Sequence, residues 1–357
     1  MLDSWSQFID DPLLLYSEHM IDFNSINRDL PQAPLLMNVK SSIRQLTFEV
    51  FRQVFDSVLN VTIFEAMSYS EKDEDDEIEA IECRSTIQFI SAACVLGRAD
   101  ISASMNYLST KLFSAISEME VCMKTTTQAK NSETCNRLFE IFRVCLLFAK
   151  SLLIDSSDYE EISGAAETRL IPSFIIDAGF LSSDSSKAVL AVVCIISRLL
   201  EIQLNASKNC KDLFSVLISK NILFFFADYI GSYVDPDISL YPINSQTINS
   251  IFAMHGNEFN SVVSLLLEAC YHFLVFYPLE IDLVTAVASL LKTLSSSKNR
   301  IQHVISDNNL KDMYRLITED QAVAVSRLNP EGITLIWEAF AHLICNYDKF
   351  KLFDEVN

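Results

Sequence analysis

The sequence predicts an all-α chain, an α-solenoid of HEAT/armadillo-like antiparallel helix pairs wound into a right-handed superhelix. Three observations carry this expectation. Only six glycines and eight prolines punctuate 357 residues that are 50% hydrophobic, too few for the tight turns and phosphate-cradling loops of sheet folds. Apolar residues recur three to five positions apart almost from end to end, the spacing of an amphipathic helix. The breaks between these runs are mostly short and rich in Ser, Asn and Asp, which is enough to join one helix to the next. Helix pairs of about 40–47 residues would fit roughly eight times into this length. Such units pack only on their neighbours, so residues 1–357 are expected to form a single array. No repeat consensus is visible, and the units share pattern alone.

Taken in chain order, Met1–Met20 carry Asp3, Asp10, Asp11 and Glu18 with no basic n-region, unlike a secretory signal. Between Ser41 and Phe64, the residues Ile43, Leu46, Val50, Val54, Leu59 and Ile63 are joined by Phe51, Phe55 and Val58 in one stripe expected to face a core. Arg44, Gln45, Glu49, Arg52, Gln53 and Asp56 fill much of the other side. The densest charge follows, with Asp73, Glu74, Asp75, Asp76, Glu77 and Glu79 around Lys72. Such a block repels itself and stays solvated, so an acidic loop is expected at about residues 68–80. It lacks the glycine and ligand spacing of a calcium loop. It reads either as a flexible loop or as a docking site for a partner's basic patch, with Ser68 and Ser70 as phosphorylatable neighbours.

Further breaks are expected at Lys124–Ser132, Asp155–Thr168, Ser182–Ser186, Asp235–Asp237 and Ser295–Lys298, the turn at about 155–168 being the longest. Ala188–Leu200 and Ile222–Val234 are the most apolar stretches. Both are shorter than the roughly 20 residues of a membrane span and are expected to be buried helices, with no membrane insertion. From Asn260 to Ser295, Val262, Leu266, Ala269, Phe273 and Phe276 lead into Tyr277-Pro278-Leu279 and then Leu283, Val287, Leu290, Leu291 and Leu294. A proline ends one helix and is tolerated in the first turn of the next, which predicts a tight helix hairpin.

The 47 acidic against 27 basic residues give a formal charge of −20, which argues against nucleic acid as a partner. Basic protein surfaces suit this charge, which equally serves to keep a hydrophobic chain soluble. The nine cysteines form no CxxC pair. Most, including Cys94, Cys145, Cys194 and Cys270, sit in apolar helical runs and read as buried free thiols of a reducing, nuclear or cytosolic compartment. The sequons at Asn60 and Asn205 are then chance matches. No GxxxxGK, GxGxxG, HExxH or GxSxG motif occurs. His19, His255, His272, His303 and His342 are scattered, and His272, between Tyr271 and Phe273, reads as structural. No catalytic, metal-binding or cofactor-binding residue is assigned, and the chain is not expected to be an enzyme.

Gly164–Pro172 reads Gly-Ala-Ala-Glu-Thr-Arg-Leu-Ile-Pro after the helix Leu138–Leu153 and its acidic turn. It resembles a segment of the exportin-4 family of nuclear export receptors, in which such a turn leads into Gly-Glu-Thr-Pro-Leu-Ile-Pro. Glu167, Thr168, Leu170, Ile171 and Pro172 match that motif, while Arg169 replaces its first proline and Ala165-Ala166 separate the glycine from Glu167. Ser91–Arg98, ending Leu-Gly-Arg, is similar to a helix end of that family. In the same order, Ala188–Arg198, Ser239-Leu240 with Phe252, Val284–Arg300 and Leu328-Asn-Pro-Glu-Gly with the helix to Leu343 resemble later segments. The resemblance covers about Ile87–Leu343 and points to the middle portion of a longer HEAT-repeat receptor. It implies Ran-dependent export of protein cargo, with the Ran GTPase and phenylalanine-rich nucleoporin repeats as partners. It also implies shuttling between nucleus and cytoplasm through the pore, with the Ran-contacting N-terminal repeats missing. The alternative is a helical-repeat scaffold or adaptor with no role in transport, for which periodicity and charge would look the same.

Overall fold

The computed structural model describes residues 33–68, 84–124, 131–154, 183–234, 257–318 and 330–356. Among these the chain forms α-helices and no strand, as an all-α fold requires: α1 (Ala33–Ser68), α2 (Arg84–Arg98), α3 (Ile101–Lys124), α4 (Asn131–Leu153), α5 (Ser183–Asn209), α6 (Val216–Tyr233), α7 (Asn257–Phe276), α8 (Ile281–Ser295), α9 (Lys298–Val304), α10 (Asn308–Thr318) and α11 (Pro330–Val356). Two compact units are distinguished, Met1–Ile195 and Ile196–Asn357, and the division falls within α5.

In the first unit α4 packs on α1, α2 and α3. Phe51 and Phe55 of α1 are fully buried and stand edge-on to Phe148 of α4, with ring centroids 5.8 and 4.9 Å apart. Phe55 also meets Tyr107 of α3 at 5.6 Å. The buried line of α1 is therefore Thr47, Phe51, Phe55, Leu59 and Thr62. This corrects the expected stripe, because Leu46 is 51% exposed and Ile43, Val50, Val54, Val58 and Ile63 are only partly covered. At about 100° per residue, Leu46 is turned roughly 140° from Phe51, so the helix cannot bury both lines. The larger aromatic payload fills the core.

Gly97 near the end of α2 shows how close this packing is. A Cβ there would lie 2.6 Å from Cδ2 of Phe51, and only glycine lets the two helices approach so far. The chain directions follow from matched contacts. Cys94 Sγ lies 3.7 Å from the Phe148 carbonyl, and Arg98 donates to the Ser151 carbonyl at 2.7 Å, so α2 and α4 run parallel. Arg137 pairs with Glu118 near the joined ends of α3 and α4.

The second unit contains a row of helices. Lys220 and Asp282 pair at 3.0 Å near the N-terminal ends of α6 and α8, and Gly231 faces the Thr293 methyl near their C-terminal ends. These two helices lie parallel. Gly332 at the start of α11 faces Val284 and Ile281, while Lys292 pairs with Glu338 at 3.0 Å and Asn346 donates to the Ser295 carbonyl at 3.1 Å. Helix α11 therefore lies parallel to α8, and α8 sits between α6 and α11. Helix α7 packs chiefly on α10. Ser215 caps α6, accepting from the Ile218 N–H at 3.2 Å.

The hairpin predicted at Tyr277-Pro278 is present, with two adjustments. The Tyr277 N–H closes the last turn of α7 on Phe273 at 2.8 Å, and the Glu280 N–H donates to the Tyr277 carbonyl at 3.2 Å. Pro278 thus takes the second position of a four-residue turn, a place its fixed φ suits, and α8 begins only at Ile281. The two joined helices also direct their main faces elsewhere, α8 towards α6 and α11, and α7 towards α10. Within α5 and α7, Lys187–Asn209 and Phe259–Phe276 are long and apolar enough to cross a membrane by length and composition, and 56% of each window is buried here. The first of these is longer than the apolar run noted in the sequence, because Glu201, Gln203 and Lys208 interrupt it without ending the helix.

Candidate functional site

The acidic loop read as a possible protein contact, Asp73, Glu74, Asp75, Asp76 and Glu77, and the family-like motif, Glu167, Thr168, Leu170, Ile171 and Pro172, lie outside the described residues. Two arginines that the resemblance touched, Arg98 and Arg300, are described, and both are ties between helix ends. A helix leaves its last carbonyls without intrahelical donors, and a cation there also meets the negative end of the helix dipole. Arg98 is 7% exposed and donates to the carbonyls of Ser151 and Ile154, at 2.7 and 3.2 Å, closing the end of α4. Arg300, 3% exposed, reaches further. It donates to the carbonyls of Val234 (2.5 Å), Thr293 (3.1 Å) and Gly231 (3.2 Å) and to the Ser296 hydroxyl (2.8 Å). The planar fork of guanidinium donors suits this task where an ammonium would not.

The second unit also carries two clamps built alike. Between α5 and α7, Ser207 Oγ lies 2.8 Å from His272 Nε2 and Lys208 pairs with Glu268 at 2.8 Å. Between α8 and α11, Ser295 Oγ lies 2.7 Å from His342 Nδ1, and Lys292 pairs with Glu338. In each case the glutamate stands four residues before the histidine, so both reach the neighbouring helix from one face. In each, the earlier helix supplies Ser and Lys and the later one supplies His and Glu.

A serine beside a histidine invites a catalytic reading, and the proton positions oppose it. Ser207 donates to the Leu204 carbonyl at 2.7 Å and Ser295 to the Lys292 carbonyl at 2.9 Å. Around Ser207 the hydroxyl oxygen is then free to accept from His272, while at His342 the Nδ1 atom also stands 3.3 Å from the Asn346 amide nitrogen. With its hydroxyl proton already given to the Leu204 carbonyl, Ser207 is not set to pass it to His272 as a nucleophile would to its general base. Burial lowers the pKa of both histidines, helped by Lys208 at His272 and by Lys292 at His342, so the neutral rings are favoured. His272 is 6% exposed and packs on Phe276 with centroids 4.4 Å apart.

On the first unit, Tyr107 donates to Asp56 Oδ1 at 2.6 Å, and Lys111 reaches the same oxygen at 3.1 Å. Burial raises the Tyr107 pKa, and its bond to Asp56 raises it further. Burial also raises the thiols of Cys94 and Cys270, and that of Cys145 to about 12, which keeps them from the reactive thiolate form. Cys194, read from sequence as buried, is exposed. Among the described residues no group of three or more His, Cys, Asp or Glu side chains is placed to hold a metal ion.

Neither clamp was anticipated from sequence. Their signal was present as Glu-x-x-x-His on α7 and again on α11, but nothing in one chain shows which serine and lysine stand opposite. No protein-family model matches the chain, and no curated protein matches it.

Proposed function

We propose that the chain is a HEAT-type helical-repeat scaffold that binds proteins and does no chemistry of its own, and that its role is to carry protein cargo out of the nucleus. The observation that carries the scaffold reading is the parallel row α6, α8, α11. In a simple bundle, sequence neighbours pack antiparallel on one another. In a solenoid of helix pairs, alternate helices stack in parallel and each unit meets only its neighbours. The clamps between α5 and α7 and between α8 and α11 support the same reading, since one polar device recurs where one unit meets the next. A right-handed superhelix of such pairs offers extended helix faces and loops to protein ligands, and a charge of −20 suits basic ones.

The export role rests on the resemblance of Gly164–Pro172 and of the ordered segments around it to exportin-4-like receptors. On this reading the partners are cargo, GTP-loaded Ran and phenylalanine-rich nucleoporin repeats, and the chain shuttles between nucleus and cytoplasm. A second reading, an adaptor with no role in transport, is favoured by one observation. Arg98 and Arg300, which lie in segments resembling the family, tie helix ends together as any helical array requires. Titration of the full chain with Ran loaded with GTP or with GDP separates the two. An export receptor binds the GTP form more tightly, by about tenfold or more, and an adaptor is indifferent to the nucleotide.

A further inference from the structure

Helix α11 has three distinct sides. Gly332, Ile336, Ala339, Phe340 and Leu343 are buried. Glu338, His342 and Asn346 reach across to α8. At about 100° per residue, Trp337 is turned roughly 140° from His342, and Ile344 roughly 120° from Glu338, which places both on the flank facing away from α8. Trp337 is 36% and Ile344 44% exposed, and Tyr347 beside them is 38% exposed. Tyr314 of α10, itself 44% exposed, extends this surface, its ring meeting Phe340 at 5.8 Å. Isolated exposed apolar residues mean little. Here two tyrosines, a tryptophan and an isoleucine line one side of a helix pair, and Trp and Tyr are the residues most enriched at interface hot spots.

The row itself says what shape fits. Helix α6 carries α8 and α8 carries α11, each laid parallel on the last, so the flank of α11 that the described residues leave exposed continues an interface already formed twice. The net charge of −20 says which chemistry fits, because a second copy of this chain is repelled and a basic segment is attracted. We propose that the face formed by Tyr314, Trp337, Ile344 and Tyr347 binds an amphipathic helix of a basic partner protein, laid along α11 as α11 is laid along α8. Such a helix presents apolar residues at i, i+3 or i+4, and i+7 to the face and keeps its lysines and arginines at the rim. The proposal stands on the row of helices and holds whether or not the chain takes part in export.

The test uses the full chain with Trp5→Phe, which leaves Trp337 as the sole tryptophan, and a synthetic leucine/lysine helix with its leucines at i, i+3, i+4 and i+7. A scrambled peptide of equal composition, with the leucines off helical period, serves as the control. The helical peptide is expected to shift Trp337 emission to the blue and to bind about tenfold or more tightly than the scramble. Ile344→Asp is expected to remove that difference, and Tyr314→Ala, on a different helix, to weaken binding as well, which keeps the test decisive if one variant folds poorly. Equal binding of both peptides, or unchanged binding by both variants, overturns the proposal in favour of charge attraction alone. A concentration-dependent dimer abolished by Ile344→Asp, with no peptide effect, overturns it in favour of a second copy.

Discussion

Both units bury aromatic rings, but the first brings them together from three helices, whereas the second stacks Phe225, Tyr229 and Tyr233 along α6 and repeats polar ties along a row. Around α1, the rings of Phe51, Phe55, Tyr107 and Phe148 meet within 5.8 Å of one another in sequence, and Gly97 leaves no room for even one more carbon. Along α6, α8 and α11 the contacts repeat instead, as Lys220–Asp282, then Lys292–Glu338 and Ser295–His342. A jammed core concentrates its stabilisation in few side chains, whereas a row spreads it over many small interfaces. Removing a buried ring should therefore cost most, and breaking a tie along the row progressively less.

The largest effect is expected at Phe55. Truncation to alanine removes a fully buried ring that touches both Tyr107 and Phe148. Phe-to-Ala changes in a packed core cost about 3–5 kcal/mol, and urea unfolding followed by hydrogen exchange of α1 and α4 measures the loss. A cost under about 1 kcal/mol would mean that the centre relaxes and is not jammed.

Next comes Arg300→Met. It takes a donor from the buried carbonyl of Val234 and from the half-buried one of Gly231, while the Thr293 carbonyl keeps Ser296 as a donor, and each unsatisfied buried group costs about 1–3 kcal/mol before water relieves it. A net loss of about 3 kcal/mol is expected in the second unit, read as faster exchange at the end of α6. Arg300→Lys should recover little, since a point ammonium cannot serve acceptors spread over two helix ends. If lysine restored full stability, charge at the helix end, and not the fork of hydrogen bonds, would be the operative term.

What was legible in the sequence divides along the same line. Helix existence could be read throughout, because a 3.6-residue apolar period survives any tertiary arrangement. The side of α1 that turns inward could not. Leu46 and Phe51 both belong to apolar lines, and only the neighbouring Gly97, Tyr107 and Phe148 select between them. The turn at Tyr277–Glu280 was readable from its proline, yet the partners of α7 and α8 were not, because a turn constrains two ends and leaves the helix faces free. The ties at Arg98, Arg300, His272 and His342 join residues far apart in sequence, so no local spacing announces them. The acidic loop read as a possible protein contact, and the family-like motif, stand outside the described residues.

Acidification gives a third, smaller contrast. Among the described residues every histidine lies in the second unit, and burial lowers the pKa of His272 and His342. A group whose folded pKa lies below its unfolded value takes up its proton more readily when unfolded, so stability rises with pH. The contribution is fully present above the unfolded value of about 6.5 and is lost as pH falls below it. Between pH 7.5 and 5.5, protection against exchange, taken relative to the intrinsic rate at each pH, should fall in α7 and α11 while that in α1 and α4 holds steady. His272→Gln, which keeps a donor for Ser207 without a titrating ring, should flatten the response of α7. An equal fall in both units would place the acid response in carboxylates shared by the whole chain.

The smallest effect is expected where the row looks most regular. The Lys292–Glu338 pair recurs in position with Lys208–Glu268, yet its side chains are 39% and 57% exposed. Exposed ion pairs yield about 0.2–1 kcal/mol, less as salt screens them. Lys292→Ala should therefore move the urea midpoint slightly, and Lys292→Ala with Glu338→Ala about as little, since neither change opens a cavity. The lysine nevertheless lowers the His342 pKa, so the same substitution lets the ring protonate at less cost and should weaken the acid response of α11. A variant with near-normal stability at pH 7.5 and a smaller loss at pH 5.5 would show that the pair sets the charge state of the clamp more than its strength. If Lys292→Ala instead cost as much as Phe55→Ala, the row would be held by its ion pairs, and the contrast between a jammed core and a distributed stack would fail.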